Sequence, residues 1–264
     1  MLKLAITGKG GVGKTTLASV LARLYASEGN TILAIDADPD SNLGAALGIS
    51  AAELSRITPI AQLEELIQER TGSKPGTTGG FFKLNPRVDD IPERFSINKD
   101  GVKLLIMGTV KKGGSGCICP ESTLLKSLMT HLLLRREEGV IMDMEAGIEH
   151  LGRGTASSVD AFIVVVEPGK RSLDTARSVR RLARDIGINK CYVVGNKITD
   201  DADRQFITDN LPDFEILGFI SQNPKIAEAD RTGESPFDID PRVVSEVKAI
   251  KEKLESLSRK RAHE

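Results

Sequence analysis

The chain has 264 residues, enough for one large α/β domain that buries roughly three quarters of the surface its unfolded chain exposes. Its 36 Lys and Arg residues nearly balance 37 Asp and Glu residues, so no global field favours nucleic acid or an anionic membrane as a partner. No apolar run approaches the roughly 18 residues of a membrane span, and an apolar strand directly follows Met1. We therefore expect a cytoplasmic protein without a signal peptide, a membrane partner or a nucleic-acid partner.

The first predicted elements are a strand over 2–6, a glycine-rich loop over 8–15 and a helix over 16–28. The loop reads Gly-Lys-Gly-Gly-Val-Gly-Lys-Thr, which fits the Walker A pattern of phosphate-binding loops. Its backbone N–H groups would surround the β- and γ-phosphates, Lys14 would reach their oxygens, and the Thr15 hydroxyl would bind Mg²⁺. The predicted ATP site comprises Gly10, Gly11, Val12, Gly13, Lys14, Thr15 and Thr16.

A second lysine, Lys9, lies next to the first glycine of this loop. The loop resembles the deviant Walker A motif, xKGGxGK[ST], of the dimeric ATPases that include the nitrogenase iron protein and the division-site, plasmid-partition and arsenite-pump ATPases. The resemblance implies a homodimer in which Lys9 of one subunit reaches the nucleotide of the other. Lys9 and Lys14 are therefore both candidate catalytic residues.

The second predicted strand, over 31–35, runs into Asp36-Ala37-Asp38-Pro39-Asp40. Ligands of open α/β sheets lie beyond the carboxyl ends of the strands, so these carboxylates should face the phosphates. The segment resembles the first switch of the same family, which implies that Asp38 orients the attacking water and that Asp36 contacts Mg²⁺ through water. A solvated turn that caps the next helix is the alternative, above all for Asp40.

Short aliphatic runs alternate with helical stretches along the whole chain. This alternation predicts a doubly wound, mostly parallel sheet of seven to eight strands with helices on both faces. Residues 71–101 interrupt it with Gly, Pro and both charges, so we interpret them as an insertion in a single domain over 1–264. The predicted strands cover 2–6, 31–35, 102–107, 139–142, 161–166, 191–195 and 215–220; the predicted helices lie near 16–28, 60–69, 122–136, 172–186, 202–210 and 242–257.

Two of the three cysteines, Cys117 and Cys119, stand one residue apart in a glycine-rich segment before Pro120. Side chains at i and i+2 of an extended segment point the same way, and a following helix N-terminus favours thiolates. Two thiolates do not complete a tetrahedral zinc site, but a two-fold dimer supplies four. An incidental pair and a redox pair remain alternatives. Cys191, inside an apolar strand, is expected to be a small buried hydrophobe.

A second carboxylate ends the apolar run over 139–142, where Asp143 precedes Gly147 by four residues. This pattern looks like a Walker B strand that leads into a second switch, with Asp143 holding a Mg²⁺-bound water and Gly147 admitting the γ-phosphate. His150 follows in the same segment, but a lone histidine is more often structural than a metal ligand.

Asn196 ends the predicted strand over 191–195. A GTPase-type Asn-Lys-x-Asp motif fails by one residue here, because position 199 is threonine. The segment resembles the adenine site of the family, which implies that Asn196 binds the purine edge and that 219–223 and 233–236 cover the base. We therefore expect ATP and ADP rather than guanine nucleotides.

Taken with the Walker loop and the DxDP switch, the segments GGSGCxCPE and DMEAGIEHLGRGT resemble the nickel-insertion ATPases of the carbon monoxide dehydrogenase accessory type. The related maturation factor of acetyl-CoA synthase shares the pattern. The resemblance implies an ATP-hydrolysing nickel metallochaperone that carries Ni²⁺ or Zn²⁺ between the cysteine pairs of its two subunits and serves one of those two nickel enzymes.

Two other function classes remain open at this point. A division- or partition-type ATPase would need a membrane-binding tail or a basic DNA-binding face, yet the helix over 242–257 has no aromatic anchor, and such a helix more often docks on its own core. An ATP-gated electron donor with a bridging iron–sulfur cluster would carry cysteines far apart in sequence, unlike this pair.

Overall fold

The computed structural model describes residues 2–76, 81–109, 119–134, 137–146 and 159–260. Within these ranges the chain forms an eight-stranded sheet in the order β3-β4-β2-β5-β1-β6-β7-β8. Every neighbouring pair is parallel except β3 with β4. The strands are β1 (Lys3–Gly8), β2 (Ile32–Ala37), β3 (Ile97–Lys99), β4 (Val102–Ile106), β5 (Gly139–Met144), β6 (Ala161–Val166), β7 (Cys191–Ile198) and β8 (Glu215–Ser221).

All seven predicted strands are present, and the predicted fold is confirmed, but the insertion over 71–101 is not structureless. Ile97–Lys99 pairs antiparallel with the start of β4 and forms the sheet edge. Asp100 and Gly101 have φ values of 48° and 82°, so both central residues of this two-residue hairpin turn are left-handed, as a type I′ turn requires. Asp-Gly is a strong hairpin signal that the sequence analysis passed over.

Helices cover both faces of the sheet. The predicted helix over 60–69 divides into a 3-10 turn at Ile60–Gln62 and an α-helix, and the structure adds short helices at 43–46, 51–54, 91–95, 224–232 and 236–239. The α-helices are α1 (Lys14–Ser27), α2 (Leu43–Ala46), α3 (Ala51–Leu54), α4 (Glu64–Thr71), α5 (Ile91–Phe95), α6 (Pro120–Leu134), α7 (Lys170–Asp185), α8 (Asp201–Asn210), α9 (Pro224–Thr232), α10 (Pro236–Ile239) and α11 (Pro241–Lys260).

The long helix α11 docks on the core, as its apolar stripe predicts. Val243, Val247, Ile250 and Leu254 are each at most 1% exposed and pack in the apolar layer that α1 shares with one face of the sheet. Helices α6, α7 and α8 bury their apolar side chains in the layer on the opposite face. Among the described residues, no helix is both long and apolar enough to cross a membrane.

Candidate functional site

The loop between β1 and α1 is held in one conformation by two glycines. Gly8 has a φ of 151°, and a Cβ atom there would lie 2.4 Å from the carbonyl oxygen of Val165. Gly13 has a φ of 96° and stands at the N-cap of α1, where a Cβ atom would lie 2.0 Å from Asn196 Nδ2. The loop therefore presents backbone N–H groups and a helix N-terminus to the same space, an arrangement that binds phosphates.

That space is a cavity of about 880 Å³ at the carboxyl ends of the strands. The structure brings most of the predicted nucleotide-site residues to its wall. Val12 is fully buried beneath the loop, so it can serve a nucleotide only through its backbone. The lining includes Gly10, Gly11, Gly13, Lys14, Thr15, Thr16, Asp38 and Asn196.

Lys14 and Asp38 form an ion pair inside this cavity, with Nζ 3.2 Å from Oδ2. Their side chains are only 7% and 13% exposed, so water screens the pair weakly. The loop lysine and the carboxylate that we predict to orient water are thus already adjacent, and a phosphate that approached Lys14 would arrive beside Asp38.

Thr15 and Asp143 form a second polar contact, in which the Thr15 hydroxyl donates to Asp143 Oδ2 over 2.6 Å. Asp143 is 1% exposed, and burial raises the pKa of its carboxyl group to about 7. Its Oδ1 atom is buried and has no hydrogen-bond partner among the described residues. A hydroxyl beside an unpaired carboxylate oxygen fits the oxygen ligands that Mg²⁺ prefers, and a bound Mg²⁺ would neutralise phosphate charge here.

Asp36 lies beside Asp143 in the register of two parallel strands, β2 and β5. It is fully buried, and burial raises the pKa of its carboxyl group. Its Oδ2 atom accepts hydrogen bonds from the Ser41 hydroxyl (2.6 Å) and from the backbone N–H of Leu43 (3.0 Å), at the start of α2. Asp36 therefore shapes the loop that carries Asp38, a role that the sequence analysis missed; its contact with Mg²⁺ through water stays a prediction.

The side chain of Asn196 also supports the phosphate loop, because its Nδ2 atom donates to the carbonyl oxygen of Val12 over 2.7 Å. One N–H of the Asn196 amide group is therefore already used in this hydrogen bond. The contact of Asn196 with adenine stays a prediction. In the cavity wall, Ser221 is held by both oxygens of Glu246 and by Arg242. The predicted base-covering segments contribute Ser221, Gln222, Asn223, Gly233, Glu234 and Pro236 to the cavity wall.

Glu167 is a charged residue at this site that the sequence analysis did not single out. It follows β6 directly and lies 3.8 Å from Lys9 and 3.2 Å from Lys197. Lys9 is 43% exposed and is followed by Gly10 of the cavity wall, and Glu167 is a single carboxylate shared between two lysines. No motif indicated Glu167, because the contact depends on how β1, β6 and β7 lie side by side.

Cys119 immediately precedes α6 and its side chain is 5% exposed. Its thiol donates to the Ser122 hydroxyl over 3.2 Å, and its carbonyl oxygen accepts from the N–H of Thr123. Near it, the Glu121 side chain accepts from the backbone N–H of Gly76, which links the insertion to this end of α6. Cys117, Gly147 and His150 lie outside the described residues.

Cys191 is only partly buried and packs against the apolar layer of α6 to α8. Burial raises the pKa of its thiol to about 11, in keeping with an unreactive packing residue. Over the described ranges, no cluster of three or more His, Cys, Asp and Glu side chains is arranged to hold a metal ion.

The sequence matches known proteins over most of its length. Residues 3–237 match the family model of the CobQ/CobB/MinD/ParA nucleotide binding domain. The chain is 50% identical over 240 residues to the carbon monoxide dehydrogenase accessory protein CooC of Rhodospirillum rubrum, covering 91% of each chain. It is 42% identical over 252 residues to an uncharacterised ATP-binding protein of Methanocaldococcus jannaschii, covering 94% of this chain and 96% of the other.

Solved structures with the same fold include MinD in the MinC:MinD cell division complex of Aquifex aeolicus, with a TM-score of 0.70, 21% identity and coverage of 97% and 96%. The septum site-determining protein MinD of Pyrococcus horikoshii, complexed with Mg-ADP, has a TM-score of 0.68, 18% identity and coverage of 98% of both chains. The chain belongs to the CobQ/CobB/MinD/ParA nucleotide-binding domain family and is a P-loop ATPase that uses a nucleotide with Mg²⁺.

Proposed function

We propose that this chain is an ATP-driven nickel metallochaperone that inserts Ni²⁺ into carbon monoxide dehydrogenase. The observation that carries the proposal is the 50% identity, over 91% of both chains, to a carbon monoxide dehydrogenase accessory protein. That relative's name favours carbon monoxide dehydrogenase over acetyl-CoA synthase as the recipient. We further propose that the protein acts in the cytoplasm as a homodimer of single-domain subunits.

In this proposal the phosphate loop binds ATP through its backbone N–H groups. The Lys14 ammonium group leaves its ion pair with Asp38 and pairs with the phosphate oxygens instead. Asp38, released but still adjacent, then orients the attacking water in line with the γ-phosphate. Thr15 and Asp143 would hold Mg²⁺. The short distance between Lys14 and Asp38 supports this assignment, since both groups must act on the same phosphate.

Dimer closure depends on Lys9, which would leave Glu167 and reach the phosphates of the partner subunit. The exposed position of Lys9, next to Gly10 of the cavity wall, supports such a movement. Closure would thereby be coupled to the presence of ATP, because a phosphate bears more charge than the single carboxylate of Glu167.

Nickel is the cargo in this cycle. Cys117 and Cys119 of each subunit would supply two of four thiolates, so the metal site would be complete only in the dimer. Cys119 lies immediately before α6, and the N-terminus of a helix favours negative charge such as that of a metal-thiolate site. Hydrolysis would open the dimer, halve the ligand set and release the metal. Divalent affinity alone does not select nickel over zinc, so ligand geometry and delivery must do so.

The direct test is nickel transfer to nickel-free carbon monoxide dehydrogenase. We expect the chain, Ni²⁺ and ATP together to restore CO oxidation and to raise the nickel content of the recipient. The Cys117→Ser, Cys119→Ser double variant should hydrolyse ATP but transfer no nickel, whereas the matched Cys191→Ser variant should transfer normally. Equal nickel incorporation without ATP, or with the double variant, would contradict the proposal.

A further inference from the structure

A cleft of about 790 Å³ lies between α7 and the segment over 210–214 that leads into β8. Four arginines of α7 line it: Arg177, Arg180, Arg181 and Arg184. Positions i, i+3, i+4 and i+7 share one face of a helix, so the four guanidinium groups form a continuous stripe. The opposite face of α7 is buried in the core through Leu173, Ala176, Val179 and Ala183.

The stripe is only partly neutralised. Arg177 pairs with Asp174 over 2.6 Å and donates to the Asn210 carbonyl oxygen. Arg180 stacks on Phe214, with its guanidinium carbon 4.6 Å from the ring centre. The exposed Arg181 and Arg184 have no ion-pair partner in the part of the chain that the structure describes.

Like charges three and four residues apart destabilise a helix. Repulsion among the four arginines therefore lowers the stability of α7 in the isolated chain, and a bound anionic ligand would relieve that repulsion. The chain as a whole has a formal net charge of −1. The positive charge of this cleft is therefore a local feature and not a consequence of a basic composition.

We propose that this arginine cleft is a docking site for an acidic polypeptide segment of a partner protein. Guanidinium groups bind carboxylates in a two-pronged geometry, and four of them along two helical turns match successive Asp or Glu side chains of an extended chain.

One feature of the same cleft disfavours nucleic acid over an acidic peptide. Asp185 and Asp213, which also line the cleft, would oppose both anionic ligands and do not distinguish them. The one aromatic ring in its lining, Phe214, is covered by Arg180, so it offers no face on which a base could stack.

The cleft lies at the opposite end of the sheet from the nucleotide cavity. The cleft wall includes Phe214, directly before the first residue of β8, Glu215, whereas the nucleotide cavity includes Asn196 and Ser221, toward the carboxyl ends of β7 and β8. Docking in the arginine cleft therefore leaves the ATP site open, and the two sites can be tested separately.

The test uses a fluorescein-labelled octaglutamate peptide as probe, with an octaglutamine peptide as the neutral control. Fluorescence anisotropy should show octaglutamate binding to the full chain, weakening as salt rises. The Arg181→Ala, Arg184→Ala double variant should lose about five- to tenfold in affinity, because two exposed charge pairs are removed. The Arg181→Glu, Arg184→Glu variant should not bind detectably.

The matched control is the Arg56→Ala, Lys248→Ala variant, which lacks two exposed cations outside the cleft. Its affinity for octaglutamate should equal that of the unaltered chain. ATP hydrolysis should be unchanged in all variants, which shows that they are folded. Equal peptide affinity in the cleft and control variants would overturn the proposal. So would a 30-base-pair DNA duplex that binds through Arg181 and Arg184 while octaglutamate does not, since the cleft would then be a nucleic-acid surface.

Discussion

Lys14 Nζ lies 3.2 Å from Asp38 Oδ2, and both side chains are almost fully enclosed in the nucleotide cavity. The lysine that we predict to bind phosphate and the carboxylate that we predict to position water are therefore partners in the chain without nucleotide. In the proposed cycle, ATP would compete with Asp38 for Lys14, and the displaced Asp38 would stand beside the γ-phosphate.

Asp38→Asn should therefore separate binding from hydrolysis. Removal of the carboxylate frees Lys14, so ATP should bind at least as tightly as before. The water loses its orienting group, and hydrolysis should fall by about 10²-fold or more. Phosphate release and ATP titration measure the two effects. The neighbouring variant Asp40→Asn, at an exposed position, should behave normally; unchanged turnover in Asp38→Asn would refute the role of Asp38.

The two loop lysines should have different roles. Lys14→Ala removes a nearly buried charge from the phosphate site, so ATP binding should be lost. Lys9→Ala alters an exposed residue that does not line the cavity, so it should preserve ATP binding and reduce hydrolysis and dimer closure. Equal loss of ATP affinity in both variants, measured by calorimetry, is the outcome that would contradict this separation.

Glu167 should restrain Lys9 in the open chain. The Glu167→Gln variant releases Lys9, so the ATP concentration needed for half-maximal dimerisation should fall, by no more than about fivefold because the pair is partly exposed. Lys197→Gln leaves Glu167 to Lys9 alone and should shift dimerisation the other way. Sedimentation over an ATP series distinguishes them, and identical curves for the two variants would exclude the restraint.

Gly13 should be less tolerant of a side chain than glycines of the same backbone conformation elsewhere. Gly29→Ala changes a φ of 86° in open space and should cost about 1–2 kcal/mol of unfolding free energy. Gly13→Ala adds a collision with Asn196 Nδ2 and breaks that side chain's hydrogen bond to Val12. It should cost a further ~1–3 kcal/mol and weaken ATP binding.

Urea unfolding and ATP titration of both variants check this comparison. If Gly13→Ala is no less stable than Gly29→Ala and binds ATP normally, Asn196 does not support the loop.

Sequence patterns predicted the sheet because its strands are nearly continuous apolar runs, buried on both faces. They predicted the phosphate loop because its chemistry resides in one contiguous segment. The Asp100-Gly101 turn signal of the β3–β4 hairpin is equally local. The hairpin was not predicted, because these residues belong to the segment over 71–101 that we interpreted as an insertion.

The roles of Asp36 and Glu167 could not be read in the same way. The shared contact of Glu167 with Lys9 and Lys197 depends on the lateral order of strands, which residue spacing along one chain does not encode. The hydrogen bonds that Asp36 accepts from Asp38, Ser41 and Leu43 are local in sequence, but they depend on the conformation of the segment after β2, which no motif specified. The adenine contact of Asn196 and the metal ligands stay predictions.

The shared metal site is the central claim, and its measurement is the association state of the protein with metal. If two Cys117/Cys119 pairs enclose one ion, dimerisation and metal binding must strengthen each other by the same factor. Thiolates must also lose protons to bind, so metal affinity should fall as the pH drops.

Analytical ultracentrifugation with bound-metal analysis tests this claim most directly. We predict one Ni²⁺ or Zn²⁺ per two chains and a metal-induced shift from monomer to dimer, which the Cys117→Ser, Cys119→Ser variant loses while it still binds ATP. One tightly bound metal per monomer, with no change in association, would contradict it.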